Sequence, residues 1–380
     1  MSLAIAAHSF TGVSETFIRA HVRNIAPDKT VAICQSPDGA IDLGIPAFSG
    51  APPMPPQRGF GILKLARHFH RTLHLGMDSK VEDELIDFLK AHNTEAIMVE
   101  YLDMAVFFAR VSKKSGIPLF AHAHGYDVSV VPNSRLWKAR YRLLFTHLTG
   151  VFAPSKILAS RLGELGCPER KIHVTPCGVN PDEFSPSIEK DGSFVAVGRL
   201  VEKKAPLATI NAFLQSGVHA EGAILHIIGD GPLSEQCRTL VSDRNATDAI
   251  VFHGRKGPEF VRSVMRKASV FLQHSVAAPI VDTVGLQVSI LEAMSSELAV
   301  VSTHHAGIPE AVYDGQPGML VNEHDVESLA MAIRSLHENP EVAKNMGRQG
   351  RIKVIEKFTQ SSLAKKRSEI MGLKPQSAML

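Results

Sequence analysis

The chain has 380 residues, and at roughly 150 residues per domain this length predicts two domains. Hydrophobic residues make up 44% of the chain and charged residues 21%, which is typical of a folded globular protein and argues against disorder. The net charge of +3 is too small for a general nucleic-acid binder, so we expect no nucleic-acid partner. The basic surplus lies in residues 1–190, whereas basic and acidic residues balance in residues 191–380.

Cysteine usage and hydropathy predict a soluble cytoplasmic protein. The four cysteines, Cys34, Cys167, Cys177 and Cys237, form no Cys-x-x-Cys pair and no cluster with zinc-ligand spacing, so we expect reduced thiols. No apolar run reaches the length of a membrane-spanning helix, roughly 18 residues. The first residues also lack the basic region and cleavage site of a signal peptide.

Short apolar runs rich in β-branched residues alternate with amphipathic segments, which indicates βαβ units and parallel sheets. The predicted strands are Leu3–Ala7, Thr30–Cys34, Ala96–Glu100, Pro118–His122, Gly150–Ala153 and Lys171–Thr175 in the first half, and Ser193–Val197, Ala223–Ile228, Ile250–His253, Val270–Gln273, Ala299–Ser302 and Gly318–Val321 in the second. The predicted helices include Glu15–Ile25, Asp78–His92 and Lys156–Leu165. Proline and glycine content indicates a linker at Cys177–Gly192 and an irregular surface loop at Gly44–Gly61.

The strand and helix alternation occurs twice, so the sequence predicts two domains, residues 1–177 and 178–357. A C-terminal helix at about 358–373 is expected to pack back on the first domain. Parallel sheets of this kind bind ligands at the carboxyl ends of their strands. If those edges of the two domains face each other, the site lies in the cleft between them.

The segment Val197–Lys204 carries the strongest local signal for a phosphate site, because it lies between a predicted strand and a helix. Gly198 permits a tight turn, and Arg199 and Lys204 bring two cations to the strand's carboxyl end beside a helix N-terminus. This arrangement suits a diphosphate. The alternative is two solvated cations on an ordinary loop.

Two further residues have side chains that could bind a ligand. Glu292 lies early on an apolar helix and could accept hydrogen bonds from ribose hydroxyls, or it could simply interact with the helix dipole. His124 follows a predicted strand and could bond a sugar hydroxyl, or it could be a structural histidine. Strand alternation places His122 on the same face as His124, where it packs on the sheet or supports His124.

Several motifs occur in a fixed order across the chain: Ser14-Glu-Thr-Phe17, His124-Gly-Tyr-Asp127, Gly198-Arg-Leu-Val201 with Lys204, Ile228-Gly-Asp-Gly-Pro232, Gly285 to Met294 and Gly307-Ile-Pro-Glu310. In this order they resemble the retaining glycosyltransferases of family 4. The resemblance implies the α/β GT-B fold, with two Rossmann-like parallel-sheet domains that face each other across a cleft. It makes residues 1–177 the acceptor side and residues 178–357 the nucleotide-sugar donor side.

The resemblance also implies roles for particular residues. The implied catalytic residues are His124, Arg199 and Lys204, and the implied donor-binding residues are Gly12, Asp127, Gly198, Gly254, Arg255, Gly285, Leu286 and Glu292. It implies no metal ion and no cofactor, the nucleoside-diphosphate sugar being a co-substrate. Asp230 is expected to form a turn and not to bind the ligand.

This sequence departs from the family pattern at four positions. Val284 occupies the position of a glutamate that contacts the transferred sugar, and Gln287 stands where proline is usual. Ala205 and Ala306 each replace a glycine. A non-catalytic homologue that binds a nucleotide sugar or glycan, and a disaccharide phosphorylase on the same fold, therefore remain alternatives. A dinucleotide-dependent oxidoreductase is disfavoured, because residues 8–17 lack the triple-glycine fingerprint.

The implied reaction moves a hexose-type sugar from a UDP or GDP donor to a glycan or lipid-linked glycan in cell-surface polysaccharide synthesis. No Asp-x-Asp motif is present, so we expect catalysis without a metal ion. The segments Ile62–Leu75 and Arg135–His147 combine cations with apolar and aromatic residues. Each predicts either a helix that lies on an anionic membrane, such as the inner face of the plasma membrane, or an ordinary helix with one buried stripe.

Overall fold

The computed structural model describes residues 2–12, 15–50, 77–277, 285–313 and 317–373. The predictions for Ile62–Leu75, Ser14 and Val284, and for residues 51–61 of the predicted loop, lie outside these residues. The chain divides into two compact units, residues 1–175 together with 361–380, and residues 176–360. Each unit is built on one parallel sheet.

The first unit holds a seven-stranded parallel sheet in the order β3-β2-β1-β4-β5-β6-β7. Its strands are β1 (Ser2–Ala6), β2 (Thr30–Cys34), β3 (Ala47–Ser49), β4 (Thr94–Glu100), β5 (Leu119–His122), β6 (Gly150–Ala153) and β7 (Ile172–Val174). Its α-helices are Thr16–Asn24, Asp38–Asp42, Ser79–Ala91, Leu102–Ala105, Ala109–Ser115, Tyr126–Ser129, Arg135–His147, Lys156–Glu164 and, after the second unit, Gln360–Ile370. Strand order reverses between β1 and β4, the usual position of a ligand crevice in such sheets.

Burial on both faces explains why the strands of the first sheet are nearly continuous apolar runs. All five residues of β1 and of β2 are buried. Ala364 and Met371 at the C-terminal end of the chain join the apolar core that includes Leu3 and Ile5. Arg367 is also buried, and its Nη2 donates a hydrogen bond of 2.9 Å to the carbonyl of Thr175.

The second unit holds a six-stranded parallel sheet in the order β10-β9-β8-β11-β12-β13. Its strands are β8 (Phe194–Val197), β9 (Leu225–Ile228), β10 (Ile250–Gly254), β11 (Val270–Gln273), β12 (Ala299–Thr303) and β13 (Gly318–Val321). Its α-helices are Pro206–Gln215, Ser234–Asp243, Pro258–Lys267, Val288–Ser295, Ile308–Ala311, Val326–Glu338 and Pro340–Lys357. Strand order reverses here between β8 and β11.

All twelve predicted strands are present, but the prediction of an irregular loop at Gly44–Gly61 is wrong in part. Residues Ala47–Ser49 form β3, which pairs in parallel with β2 at the edge of the sheet. This strand is short and only partly buried, so its apolar pattern is weak beside the surrounding glycine and proline. Within the described residues, no helix has both the length and the apolarity that crossing a membrane requires.

Candidate active site

Four polar side chains meet at the carboxyl edge of the first sheet, and we call them the histidine cluster: His21, Glu100, His122 and His124. Glu100 and His122 are the last residues of β4 and β5 and are paired in register across the two strands. His124 follows two residues later, and His21 comes from the helix Thr16–Asn24. His21, Glu100 and His122 are almost completely buried, and the side chain of His124 is 11% exposed.

The carboxylate of Glu100 is the centre of this cluster. Its Oε1 lies 2.7 Å from Nδ1 of His21, and its Oε2 lies 3.1 Å from Nδ1 of His122 and 2.8 Å from Nε2 of His124. Because an ionised carboxylate only accepts hydrogen bonds, each of these three ring nitrogens carries the proton. The cluster is therefore one acceptor with three imidazole donors.

The ionisation states within the histidine cluster follow from burial and from these bonds. Burial would raise the pKa of Glu100, but the neighbouring His21 and His122 and the bonds from the imidazoles hold that pKa well below its usual 4.5. Burial lowers the pKa of His21 and of His122 below 6.5, although Glu100 opposes the shift. At neutral pH the cluster is thus a carboxylate with neutral His21 and His122.

The loop that carries His124 is fixed by Asp127. Asp127 is fully buried, and its carboxylate accepts backbone N–H bonds from His124 at 2.9 Å, from Gly125 at 2.8 Å and from Leu102 at 2.8 Å. Gly125 has a φ of 144°, which favours glycine. The contacts of Asp127 are therefore with the loop backbone, and the donor contact expected of it stays a prediction.

Tyr101 and Phe17 hold the ring of His124. The centroids of their rings lie 4.4 Å and 4.6 Å from that of His124. The hydroxyl of Tyr101 donates a bond of 2.5 Å to Oε1 of Glu15, and burial together with that carboxylate raises the pKa of Tyr101. Gly12 leaves room for Glu15, because a Cβ at Gly12 would lie 2.6 Å from Oε2 of Glu15. The donor contact expected of Gly12 also stays a prediction.

Among the described residues, His21, Glu100 and His122 are the one group of three whose ligand atoms are close enough to share a metal ion, all within 4.8 Å of one another. Carboxylate and imidazole are suitable zinc ligands. The separations from Glu100 to the two histidines are those of hydrogen bonds, so protons account for this geometry.

Three glycines bring the backbones at the ends of β8, β9 and β10 together at the edge of the second sheet. The amide of Gly198 donates to Ile228, and the amide of Gly229 donates to the carbonyl of Gly254 at 2.9 Å. A Cβ at Gly229 would lie 1.9 Å from the carbonyl oxygen of Gly198, so no other residue fits there. Gly198 and Gly254 have φ values of 157° and 65°. The close approach leaves backbone at this edge uncovered by side chains, as a phosphate site requires.

Lys204 lies beside Gly198, because a Cβ at Gly198 would be 4.0 Å from Cε of Lys204. The Lys204 ammonium donates a hydrogen bond to the side-chain oxygen of Gln287. That oxygen also accepts from Nε2 of Gln273, and Nε2 of Gln287 donates to Oγ of Ser275 at 2.8 Å. A network of buried amides therefore positions this lysine.

The remaining predicted cations of the second unit are exposed. Arg199 lies on the loop after β8, and Arg255 follows β10. Asp230 accepts bonds from the Ser234 hydroxyl at 2.5 Å and the Gly231 amide at 2.8 Å, the geometry of a turn former. These bonds, with a contribution from the charge of Arg255, lower the pKa of Asp230.

Glu292 is the fifth residue of the helix Val288–Ser295. Burial raises its pKa to about 7, with Arg262 lowering and Glu183 raising it by smaller amounts. No described residue donates a hydrogen bond to its carboxylate. A carboxyl group in this state is a candidate ligand-binding group, since a ligand hydroxyl could supply the missing donor.

Gly285 and Leu286 precede that helix and are buried. The side chain of Leu286 belongs to the apolar core of the second unit together with Ile290 and Leu291. Any contact of Leu286 with a donor would therefore use its backbone. The donor contacts of Gly285 and Leu286 stay predictions.

Most of the chain matches known protein families. One family model, described as Glycosyltransferase Family 4, matches residues 19–183, and a second, described as Glycosyl transferases group 1, matches residues 191–339. Together they match most of both units. The chain belongs to the family-4 glycosyltransferases.

Two relatives of this family-4 member are named for bacterial polysaccharides. WcaL of Salmonella typhimurium, named for colanic acid biosynthesis, is 30% identical over 253 residues, which is 65% of this chain and 62% of the relative. The amylovoran biosynthesis glycosyltransferase AmsK of Erwinia amylovora is 30% identical over 255 residues, again 65% and 62% of the two chains. The chain thus spans less than two thirds of the length of these relatives.

Solved structures confirm the predicted fold class. The crystal structure of Anabaena Alr3699/HepE in complex with UDP and glucose superposes with a TM-score of 0.76 and covers 98% of this chain and 99% of the other, at 17% identity. At this identity the likeness shows the fold alone. The α/β GT-B class, with two Rossmann-like parallel-sheet domains, is confirmed.

Two alanines that replace family glycines keep the backbone conformation that glycine favours. Ala205 has a φ of 39° and Ala306 a φ of 49°, both in the left-handed region. Ala205 precedes the helix Pro206–Gln215, directly after Lys204. The loops therefore keep the left-handed conformation at both positions despite the substitutions.

The sequence did not predict site roles for Glu100, His21 and Tyr101. Glu100 is the last residue of a predicted apolar strand. Because a buried carboxylate requires partners, its position at the end of that strand could have marked it as a site residue. His21 lies 79 positions from Glu100, and nothing local in the sequence pairs them. Of the predicted site residues in the first unit, His122 and His124 both contact Glu100. In the second unit, Gly198 lies beside Lys204, and Gly229 joins Gly198 to Gly254.

Proposed function

We propose that this protein transfers a hexose-type sugar from a nucleoside-diphosphate donor to a hydroxyl of a glycan or lipid-linked glycan, with retention of anomeric configuration, in cell-surface polysaccharide synthesis. Glu292 carries the proposal for the donor. It is a carboxyl group with a pKa of about 7 and no hydrogen-bond donor from the described residues, on the fifth residue of the helix that follows β11. A ribose hydroxyl would supply that donor.

The second unit also offers a site for the diphosphate. Lys204 is positioned beside Gly198, where the backbones at the ends of three strands converge. In the proposed reaction Lys204, Arg199 and backbone amides stabilise the charge that develops on the leaving diphosphate, a role that can supply several kcal/mol in a site that excludes water. The leaving phosphate takes the proton of the attacking acceptor hydroxyl. In this proposal Lys204 and Arg199 supply the positive charge that a metal ion would otherwise provide.

His124 is proposed to bond the sugar that is transferred. Glu100, Phe17 and Tyr101 hold its ring, and Asp127 fixes its loop. Ordered rings of this kind suit a hydrogen bond to a sugar hydroxyl in the transition state.

The names of relatives support the class of substrates. A relative from Mycobacterium tuberculosis, 25% identical over 276 residues, is named as a GDP-mannose-dependent mannosyltransferase that acts on a phosphatidylinositol monomannoside. Alr3699/HepE was crystallised with UDP and glucose and with UDP-glucose. We therefore propose UDP-glucose and GDP-mannose as the first donors to assay.

The test is transfer itself. The full chain is incubated with UDP-glucose or GDP-mannose and a mixture of glycan acceptors, and the product is identified by mass spectrometry and its anomeric configuration by NMR. We expect a product whose new bond keeps the donor configuration, with EDTA having no effect. Donor binding without transfer or hydrolysis would favour the non-catalytic homologue, and a requirement for inorganic phosphate would favour the phosphorylase.

We further propose that the first unit lies on the cytoplasmic face of an anionic membrane through the helix Arg135–His147. Its buried stripe packs on the core, while Leu136 and Leu143 are 42% and 51% exposed beside the exposed Arg135, Lys138 and Arg142. Flotation with phosphatidylglycerol vesicles should recover the protein, and Lys138→Glu should reduce recovery. The control Lys344→Glu changes an exposed lysine of the second unit and should have no effect. Equal recovery with phosphatidylcholine alone would contradict the proposal.

A further inference from the structure

The contacts of His124 determine which of its ring nitrogens can face a substrate. Within the described residues its side chain makes one hydrogen bond, from Nε2 to Oε2 of Glu100 at 2.8 Å. Because the carboxylate only accepts, Nε2 carries the proton. In the neutral ring, Nδ1 then bears the lone pair and can only accept a hydrogen bond.

Glu100 accepts hydrogen bonds from two other histidines besides His124. Both of its oxygens are engaged, Oε1 by His21 at 2.7 Å and Oε2 by His122 at 3.1 Å and by His124. The residue is fully buried. A buried charge adds little to stability compared with well-packed apolar side chains, so its presence here is better explained by what it does to His124.

The backbone next to Glu100 is strained in a way that also serves His124. Tyr101 has a φ of 75° and a ψ of 131°, a conformation that is unfavourable for any residue with a side chain. This conformation accompanies the contact of the Tyr101 ring with His124 and the bond from its hydroxyl to Glu15. Strain of this kind is typical of sites whose geometry is fixed for function.

We propose that Glu100 is a positioning residue for His124, whose imidazole it fixes as the Nε2–H tautomer so that Nδ1 accepts a hydrogen bond from a hydroxyl of the transferred sugar. His21 and His122 hold the carboxylate in place. This inference rests on the proposed function for the identity of the hydroxyl, but the tautomer is a property of the protein alone. A histidine without Glu100 would sample both tautomers and present the required acceptor only part of the time.

The first test is NMR of the wild-type full chain with ¹⁵N-labelled histidine. Long-range ¹H–¹⁵N correlations report which ring nitrogen carries the proton, and the spectrum of His124→Gln identifies the signals of His124. We expect the proton on Nε2 and a lone pair on Nδ1. The Nδ1–H tautomer, fast exchange between the two tautomers, or a ring protonated on both nitrogens would overturn the inference.

The second test is kinetic and compares two buried carboxylates of the first unit. Glu100→Gln keeps the size of the side chain but removes its charge, and it should lower kcat about 10- to 100-fold while KM for the donor sugar stays unchanged. Glu82→Gln is the control, because Glu82 is also fully buried but pairs with Arg110 and Lys114. Equal losses in both variants, or a rise in KM without a fall in kcat, would mean that Glu100 is merely structural.

The same preparations distinguish a proton from a metal ion at Glu100. Elemental analysis of the purified full chain should find no stoichiometric metal. One equivalent that is lost in Glu100→Gln would make the cluster a metal site and overturn the inference. If the wild-type chain transfers no sugar, the proposed function fails and the sugar is not the partner of Nδ1. The NMR experiment still decides whether Glu100 positions His124.

Discussion

Lys204 and Gln287 are joined by a hydrogen bond from the lysine ammonium to the amide oxygen, although they are 83 positions apart in the sequence. Gln287 is buried and is held in turn by Gln273 and Ser275. A proline at position 287, the usual residue of the family, could not make this bond. In this chain the amide network therefore sets the position of the cation that is proposed to bind the diphosphate.

Gln287→Ala should weaken the affinity for UDP or GDP about tenfold, because it removes a hydrogen bond that positions a charged group. The effect should vanish in the Lys204→Ala background, since Gln287 acts through Lys204. Isothermal titration of the four proteins of this double-mutant cycle measures the coupling. Additive losses would show that Gln287 acts independently of Lys204.

His124→Ala should abolish sugar transfer while leaving UDP or GDP affinity unchanged, because His124 lies in the first unit and is proposed to bond the sugar rather than the nucleotide. The exposed His147 provides the control, and His147→Ala should retain both properties. Transfer rates and nucleotide affinities of the two variants are compared. Wild-type turnover by His124→Ala would remove His124 from the reaction.

The raised pKa of Glu292 predicts how the free energy of unfolding changes with pH. Its pKa is about 7 in the folded protein, against the usual 4.5. Between pH 4.5 and pH 7 the folded protein therefore keeps a proton on Glu292 that the unfolded chain has released. This side chain therefore lowers the free energy of unfolding as pH rises from about 4.5 to about 7. Compared with wild type, Glu292→Gln should unfold at the same temperature at pH 4 and at a higher temperature at pH 8.

The same substitution should impair donor binding, because an amide is a weaker acceptor for ribose hydroxyls than a carboxylate. Wild-type affinity for the nucleotide should increase through pH 7, and that increase should be absent in Glu292→Gln. Thermal unfolding and titration at both pH values check the two effects. A variant that is more stable at pH 8 and still binds normally would exclude Glu292 from the donor site.

Ala205→Gly and Ala306→Gly should each stabilise the second unit slightly, by up to about 1.5 kcal/mol. The left-handed conformation costs alanine about 1–2 kcal/mol, which exceeds the additional entropy of about 0.5–1 kcal/mol that glycine loses on folding. Ala208→Gly, inside the helix Pro206–Gln215, is the control and should cost about 1 kcal/mol. Chemical denaturation measures all three, and destabilisation by the first two would contradict the strain at these alanines.

The strands could be predicted from the sequence because both faces of each parallel sheet are buried. Each central strand is then a short apolar run between turn residues, and the run predicts the strand without knowledge of its neighbours. The edge strand Ala47–Ser49 escaped prediction because it is only partly buried and pairs on one side. Its pattern did not differ from that of the surrounding loop.

The side-chain partners could not be predicted in the same way. The sequence predicted that His124 and Lys204 follow strands. Their partners could not be predicted, because Glu100 is 24 positions from His124 and Gln287 is 83 positions from Lys204. Which side chains meet depends on strand order and on the rotamers of both partners, neither of which leaves a local pattern. The left-handed conformation of Ala205 could not be predicted either, because alanine has no preference for it.

Binding of a nucleoside diphosphate at Lys204 is tested most directly by isothermal titration of UDP and GDP into wild type, Lys204→Ala and Lys203→Ala. Lys203 is the matched control, since it is a lysine on the same turn and directly precedes Lys204 in the sequence. Wild type and Lys203→Ala should bind one of the two nucleotides with the same affinity, and Lys204→Ala should bind it about 10- to 100-fold more weakly. Equal affinity in all three proteins, or no binding of either nucleotide by wild type, would contradict the proposed donor site.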